Sequence, residues 1–404
     1  MSVGRPGAAD CPGGACAARA AMVGYRGSRR RVVVLGGGVS GTTVANALRR
    51  RRANLDVTLV DSHGDVVNQP THLHIPFAVR LERARATGRL LRGGIRLVVD
   101  HAAGIDLDGR VVHLRAGTAL PYDALVLATG ARLDKRSLPG FREAAHNFHC
   151  HNAAERLRER LEDFAGGDLV VGAAAEIYRC PYAVPEFALL LDGWLRSRRL
   201  RGKTRLHVLL PEPLFATLGP LGEELERLLL EAGACVRAPW SIASMDPRAR
   251  SLHAADGAEQ PFDLLVLVPP HRGAPFLAGS SLVDSAGWVA VDPRTLRARG
   301  AAGVFALGDA ARLPAPKLGS AAHFQAAVVV EQVLAELDGR PSGARYDGRA
   351  RHLVHVGGGR ALRMESTYAG FGRVRGPSLS AYVHKVAVER LFFEFAGSSL
   401  QHVV

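Results

Sequence analysis

Residues 31–41 read Arg31-Val-Val-Val-Leu35-Gly36-Gly-Gly38-Val-Ser40-Gly41. The uninterrupted apolar run before the glycines is the pattern of a strand buried on both faces. A helical stretch, 42–52, follows the glycines, and a second strand, 54–60, ends on Asp61, 20 residues beyond Gly41. In a chain with 45 glycines the spacing Gly36-x-Gly38-x-x-Gly41 is weak by itself. Between a buried strand and a helix, with an acid at the next strand end, it predicts a dinucleotide pyrophosphate site. Glycine lets the backbone turn tightly and approach the phosphates, which Ser40 and the helix N-terminus would face. Asp61 would accept hydrogen bonds from ribose hydroxyls.

Working outward, 95–99 and 110–114 read as strands, with a turn at 106–109. The run 122–128, Tyr-Asp-Ala-Leu-Val-Leu-Ala, is another buried strand that ends in Thr129-Gly130. A second strand–helix set then begins: strand 168–172, helix 185–200, strand 205–210 and helix 221–232. The run 262–268, Phe-Asp-Leu-Leu-Val-Leu-Val, echoes 122–128 and is read as returning the chain to its first sheet. Strand 304–307, Gly308-Asp309 and a long helix to Leu337 follow. The pattern predicts an α/β protein with two doubly wound Rossmann-like dinucleotide-binding domains, the second inserted in the first, plus a C-terminal extension. The expected boundaries are a tail at 1–28, the first domain at 29–148 and 262–340, the second at 149–261, and an appended segment at 341–404.

Composition narrows the class. At 404 residues, 47% hydrophobic and 22% charged, the chain is a core-forming protein of more than one domain. No run approaches the ~18–20 apolar residues of a membrane-spanning helix. The net charge of +14 comes almost wholly from arginines spread along the chain, without interleaved aromatics. That argues against nucleic acid and leaves a general attraction to anionic membrane. The first 28 residues lack the apolar centre of a secretory signal and read as a disordered tail, with Met22 a second candidate start. Five cysteines without such a signal suit a reducing compartment. Cys11 and Cys16 fall in the tail, and Cys235, in a turn before a strand, reads as packing. Cys150 and Cys180 remain for chemistry.

The second strand–turn–helix lacks its glycine triplet: after 168–172 comes Gly172-Ala-Ala-Ala-Glu-Ile, which offers a nicotinamide cofactor no pyrophosphate seat. Further on stands Tyr178-Arg-Cys180-Pro-Tyr-Ala-Val-Pro-Glu-Phe187. The segments 122–130 (YDALVLATG) and 303–309 (GVFALGD) resemble two motifs of the disulfide-reductase-like flavoproteins. That resemblance implies FAD, with Thr129 and Gly130 beside it, Gly308 in the later motif and Asp309 on the flavin ribitol. Lys317, before the next helix, would stabilise charge on reduced flavin, or is equally a solvated lysine.

More specifically, RCPYAVPEF (179–187), FHCHNAAERL (148–157), LVPPHRGAP (267–275), GDAARLPAPKLGSAAHFQA (308–326) and YDG (346–348) resemble the sulfide:quinone oxidoreductases and related flavocytochrome sulfide dehydrogenases. The resemblance runs from about Arg31 to the C-terminus and places Cys180 on the family's redox cysteine and Cys150 on an upstream one. It implies that sulfide opens a disulfide beside the flavin and that electrons pass through FAD to a quinone. A cation or helix start should then lower the pKa of the Cys180 thiol. The second redox cysteine, expected four positions after the glycine of YDG, is His352 here. Cys150 as substitute, an external thiol, or a different activity all stay open, with His352 a proton carrier or thiolate partner. The C-terminal run 378–404 would frame the quinone site at the membrane interface, or pack on its own domain or on a second copy.

The expected activity is electron transfer from sulfide or a related sulfur donor to a membrane quinone. The expected location is cytoplasmic and peripheral, on the inner face of the cell membrane. A type II NADH:quinone oxidoreductase and a flavin-binding protein without sulfide turnover are the alternatives.

Overall fold

The computed structural model describes residues 29–396. The expected tail with Met22, Cys11 and Cys16, and residues 397–404, lie outside the described residues. The run at the start of the chain forms the strand Arg31–Leu35, central in a five-stranded parallel sheet. Across that sheet the order is Val304–Ala306, Ala124–Leu127, Arg31–Leu35, Asp56–Asp61, Ile95–Val99. Val32 and Val34 pack against Val44 and Leu48 of helix Val39–Arg51 and Val329 and Val333 of helix Gly319–Leu337. Val33 and Leu35 face the other way, onto Val112, Leu114 and Leu120 of a small antiparallel sheet. Both faces are covered, which is why the strand reads as an unbroken apolar run.

The second sheet repeats this design. Its order is Ala145–His146, Leu264–Val268, Gly167–Ala173, Thr204–Leu209, Cys235–Arg237, again parallel throughout. Here one expectation is corrected: the run 262–268 does not rejoin the first sheet but pairs with Gly167–Ala173 in the second. Its likeness to 122–128 has a local cause, since each run closes its own sheet against the opening strand. Asp123 Oδ2 accepts the Arg31 amide at 2.6 Å, and Asp263 Oδ2 accepts the Asp168 amide at 2.8 Å. The same aromatic–Asp pair does the same work twice.

Three further differences are small but instructive. The first helix begins at Val39 rather than 42, so Ser40 and Gly41 lie in its first turn. The helix expected from 185 begins at Ala183, because Pro185 sits in the first turn, where no amide hydrogen is required. Cys235 is exposed on the edge strand of the second sheet, so the packing role expected of it is not found.

Beyond the long helix, Ala350–His355 pairs antiparallel with Ala361–Thr367, and helices Leu379–Arg390 and Phe392–Phe395 follow. Lys385, Glu389 and Phe393 are buried, so this segment is built into the body of the protein. Among the described residues, no helix is long and apolar enough to cross a membrane.

Candidate active site

The glycine turn divides its labour. A Cβ on Gly41 would lie 1.9 Å from the Gly36 carbonyl oxygen, and one on Gly36 (φ +106°) 2.3 Å from the Ala128 carbonyl oxygen. Both glycines are demanded by the protein's own packing. A Cβ on Gly38 would meet nothing within 4 Å, so that position opens onto free space at the start of a 13-residue helix. This helix has no side-chain cap and no acid in its first turn, which leaves its amides available to an anion. Asp61 holds the loop from beneath, accepting the amides of Gly37 (2.8 Å), Gly64 (2.7 Å) and His63 (3.1 Å).

The later motifs converge on the same turn. A Cβ on Gly308 (φ +66°) would lie 2.6 Å from Ser40 Oγ, and one on Gly36 would lie 3.0 Å from the Thr129 amide nitrogen. Thr129 Oγ1 is buried without a partner, and Gly130 turns the chain away at φ +65°. The set fits a pyrophosphate-bearing dinucleotide such as FAD.

Lys317 is not a solvated lysine. Its Nζ donates to the carbonyl oxygens of Asp309 (2.7 Å) and Ala311 (3.2 Å) and lies 3.8 Å from the Trp288 ring centroid. Burial lowers its pKa to about 8, with Asp309 acting in the opposite sense. The Lys317 carbonyl accepts the Cys180 amide at 2.9 Å, fastening the turn that carries Cys180 to the segment that leads into helix Gly319–Leu337.

Cys180 has φ +58°, a left-handed conformation rare for a residue with a side chain. Cys150 caps helix His151–Glu162, and both thiols are free and half-buried. Arg179 stands within electrostatic reach of both and of Asp309. The expected lowering of the Cys180 pKa is corrected: crowding round the thiol, which burial describes, pushes it up to about 12. The Glu186 carboxylate adds to this, while Lys385 and a hydrogen bond with Tyr182 act against it without prevailing. Around Arg179 the nitrogens His72 Nε2, His149 Nδ1, His271 Nε2 and Arg179 Nε are buried and unpaired. The site thus offers one cationic donor among neutral imidazole acceptors.

His352 is buried, with Nε2 2.9 Å from Ser366 Oγ and its ring edge-on to Tyr182 at 5.8 Å. Burial lowers its pKa to about 4, so at neutral pH it is an uncharged group packed edge-on against Tyr182.

Sequence reasoning missed the polar network behind Cys180. Glu186 Oε1 accepts the His355 amide at 2.8 Å and pairs with Lys385 Nζ at 3.0 Å. Lys385 also approaches Glu389 Oε1 at 3.4 Å, and Glu389 Oε2 meets His74 Nε2 at 3.0 Å. These residues come from four separate elements, and apart from the i,i+4 pair Lys385 and Glu389 no spacing rule connects them. The one local hint was the pair His72 and His74 in an otherwise apolar stretch.

Known proteins agree with this architecture. The mitochondrial sulfide:quinone oxidoreductase of Mus musculus is 23% identical over 353 residues, covering 83% of this chain and 78% of that protein. An NADH dehydrogenase-like protein of Mycobacterium tuberculosis is 29% identical over 242 residues, 56% of this chain and 59% of that one. The X-ray structure of the sulfide:quinone oxidoreductase from Aquifex aeolicus superposes with a TM-score of 0.83 at 22% identity, covering 91% of both chains. The family model described as pyridine nucleotide-disulphide oxidoreductase matches residues 30–327. With the glycine turn, the paired sheets and the converging motifs, this makes the chain a member of the pyridine nucleotide-disulphide oxidoreductase family and an FAD-dependent oxidoreductase.

Proposed function

We propose that the enzyme takes electrons from sulfide or a related sulfur donor at Cys180 and delivers them, through FAD, to a membrane quinone. The observation that carries this reading is the Cys180–Lys317 backbone hydrogen bond, which holds a cysteine where the second domain's pyrophosphate turn would otherwise run. For sulfide the reaction balances as HS⁻ + quinone + H⁺ → sulfane sulfur + quinol. FAD, when bound at the glycine turn, supplies the two-electron relay between donor and acceptor. The chain's own residues do the rest. Arg179 attracts the anionic donor between Cys150 and Cys180. Lys317 places a cation beside Asp309.

The quinone ring has a candidate seat in a cavity of about 250 Å³ lined by Phe77, Leu190, Trp194, Tyr382 and Val386. Membrane docking falls to the exposed side chains Leu379 and Val383, four residues apart on the helix Leu379–Arg390, and Leu391 at its C-terminal end. On this reading the protein works peripherally, at the inner membrane face.

An NADH donor is the second reading, and the Mycobacterium tuberculosis relative supports considering it. The absence of glycines between Ala173 and Ala183 weighs against it. Anaerobic addition of sulfide or NADH to the purified flavoprotein separates the two. Bleaching by sulfide, reversed by a quinone, is expected. Bleaching by NADH alone overturns the sulfur-donor reading.

A further inference from the structure

Among the residues that line the 250 Å³ cavity stand His74, His355 and Glu389, all buried. One nitrogen from each ring and one carboxylate oxygen lie within 4.8 Å of one another. We propose that these three side chains form a binding site for a divalent transition-metal ion of the zinc class, with its fourth coordination position open to the cavity.

The chemistry of the donors argues first. Two imidazoles and one carboxylate are the ligand set of mononuclear zinc sites that keep an exchangeable position. Bonds of about 2.0–2.1 Å in tetrahedral geometry put neighbouring donor atoms ~3.3 Å apart. Glu389 Oε2 lies 3.0 Å from His74 Nε2 and 3.4 Å from His355 Nε2, close to that spacing before any ion adjusts it. The rings meet at 81° with centroids 5.2 Å apart, so they converge from different directions instead of stacking.

The supporting shell argues second. His74 lies between two short turns, His355 ends a strand, and Glu389 belongs to a 12-residue helix, so three packed elements set the geometry. Lys385 engages the other carboxylate oxygen, Glu389 Oε1, at 3.4 Å and leaves Oε2 to the imidazoles. Its charge is balanced by Glu186, whose Oε1 also accepts the His355 amide and so fixes that ligand's backbone. Outer partners of this kind orient metal ligands and raise affinity.

Third, the site has an approach. His74, His355 and Glu389 line the cavity together with Tyr382 and Arg390, so an ion and its fourth ligand reach it without unfolding.

The test uses the full-length, FAD-loaded protein stripped with chelator and titrated with Zn²⁺ against a chromophoric competitor, then with Co²⁺ as an optical probe. One ion per chain and tetrahedral Co²⁺ bands are expected. His74→Ala and His355→Ala should each weaken binding at least ~10-fold, and His113→Ala, an exposed histidine elsewhere, should leave it unchanged. If an alanine variant does not fold, His74→Gln or His355→Gln replaces it. Absence of stoichiometric binding to the wild type, or unchanged binding in both ligand variants, overturns the site. Because the readout is metal binding, this result is independent of whether sulfide or NADH reduces the flavin.

Discussion

Arg179 and His149, the residues immediately before Cys180 and Cys150, are joined by two hydrogen bonds. Arg179 Nη2 donates to the His149 carbonyl at 2.8 Å, and His149 Nε2 donates to the Arg179 carbonyl at 3.2 Å. Because a carbonyl only accepts, the His149 proton resides on Nε2 and its Nδ1 is left as a buried acceptor. The tie brings together two cysteine segments 30 residues apart in sequence and lodges a cation between them.

From this follows the first prediction. Cys180→Ser should abolish flavin reduction by sulfide while FAD stays bound, and Cys235→Ser should have no effect, because Cys235 is exposed on an edge strand. Stopped-flow absorbance under anaerobic conditions measures both. A Cys180→Ser enzyme reduced at the wild-type rate would refute the role given to this cysteine.

The Cys180 thiol titrates far above its ordinary value of 9.0, at about 12. Its folded-state pKa is raised, so its contribution to stability is complete below pH 9 and is lost as pH climbs towards 12. Denaturation curves of wild type and Cys180→Ser should therefore run parallel below pH 9 and converge or cross above it. Iodoacetamide at neutral pH should label Cys235 well before Cys180, as peptide mass spectrometry can show.

The glycines of the first turn should fail in different ways. Gly38→Glu should fold with near-normal melting but lose FAD, because its side chain projects into open space that a pyrophosphate would fill. Gly41→Ala should cost about 1–3 kcal/mol of stability, since its Cβ would collide with the Gly36 carbonyl. Thermal unfolding and the flavin-to-protein absorbance ratio distinguish the two. Equal flavin retention in Gly38→Glu and wild type would contradict the assignment.

Lys317→Met removes a half-buried cation beside Asp309. The flavin potential should fall by on the order of 30 mV for each ~1.4 kcal/mol of lost stabilisation of the reduced form. Equilibration with reference dyes reads the shift, and an unchanged potential would mean that Lys317 serves only to bind Asp309 and Ala311.

Deleting 378–404 is a poor test of membrane docking, because it would strip Lys385 and Glu389 from Glu186, His74 and His355. The exposed side chains offer a cleaner one. Leu379→Ser/Val383→Ser/Leu391→Ser should release the protein from vesicles containing anionic lipid with its flavin spectrum intact. Retained sedimentation with vesicles would assign that face to another use.

Much of this molecule was written locally. A strand covered on both faces must be apolar throughout, so Arg31–Leu35 announced itself, and so did the glycine turn, because backbone collisions at Gly36 and Gly41 admit no side chain. The cysteine segment was legible for the same local reason: Cys180 stands in the turn between a strand and a helix. Which sheet a strand joins is a different matter. The runs 122–128 and 262–268 carry the same pattern, and only the pairing of Leu264–Val268 with Gly167–Ala173 separated them. The ionisation of Cys180 was equally beyond sequence, because it depends on Glu186, Lys385, Tyr182 and burial acting at once. So was the meeting of His74 with Glu389, 315 residues apart. Strand burial and turn sterics are properties of neighbouring residues, which a sequence states directly. Charge balance and side-chain convergence depend on distances in space, and those exist only once the chain has folded.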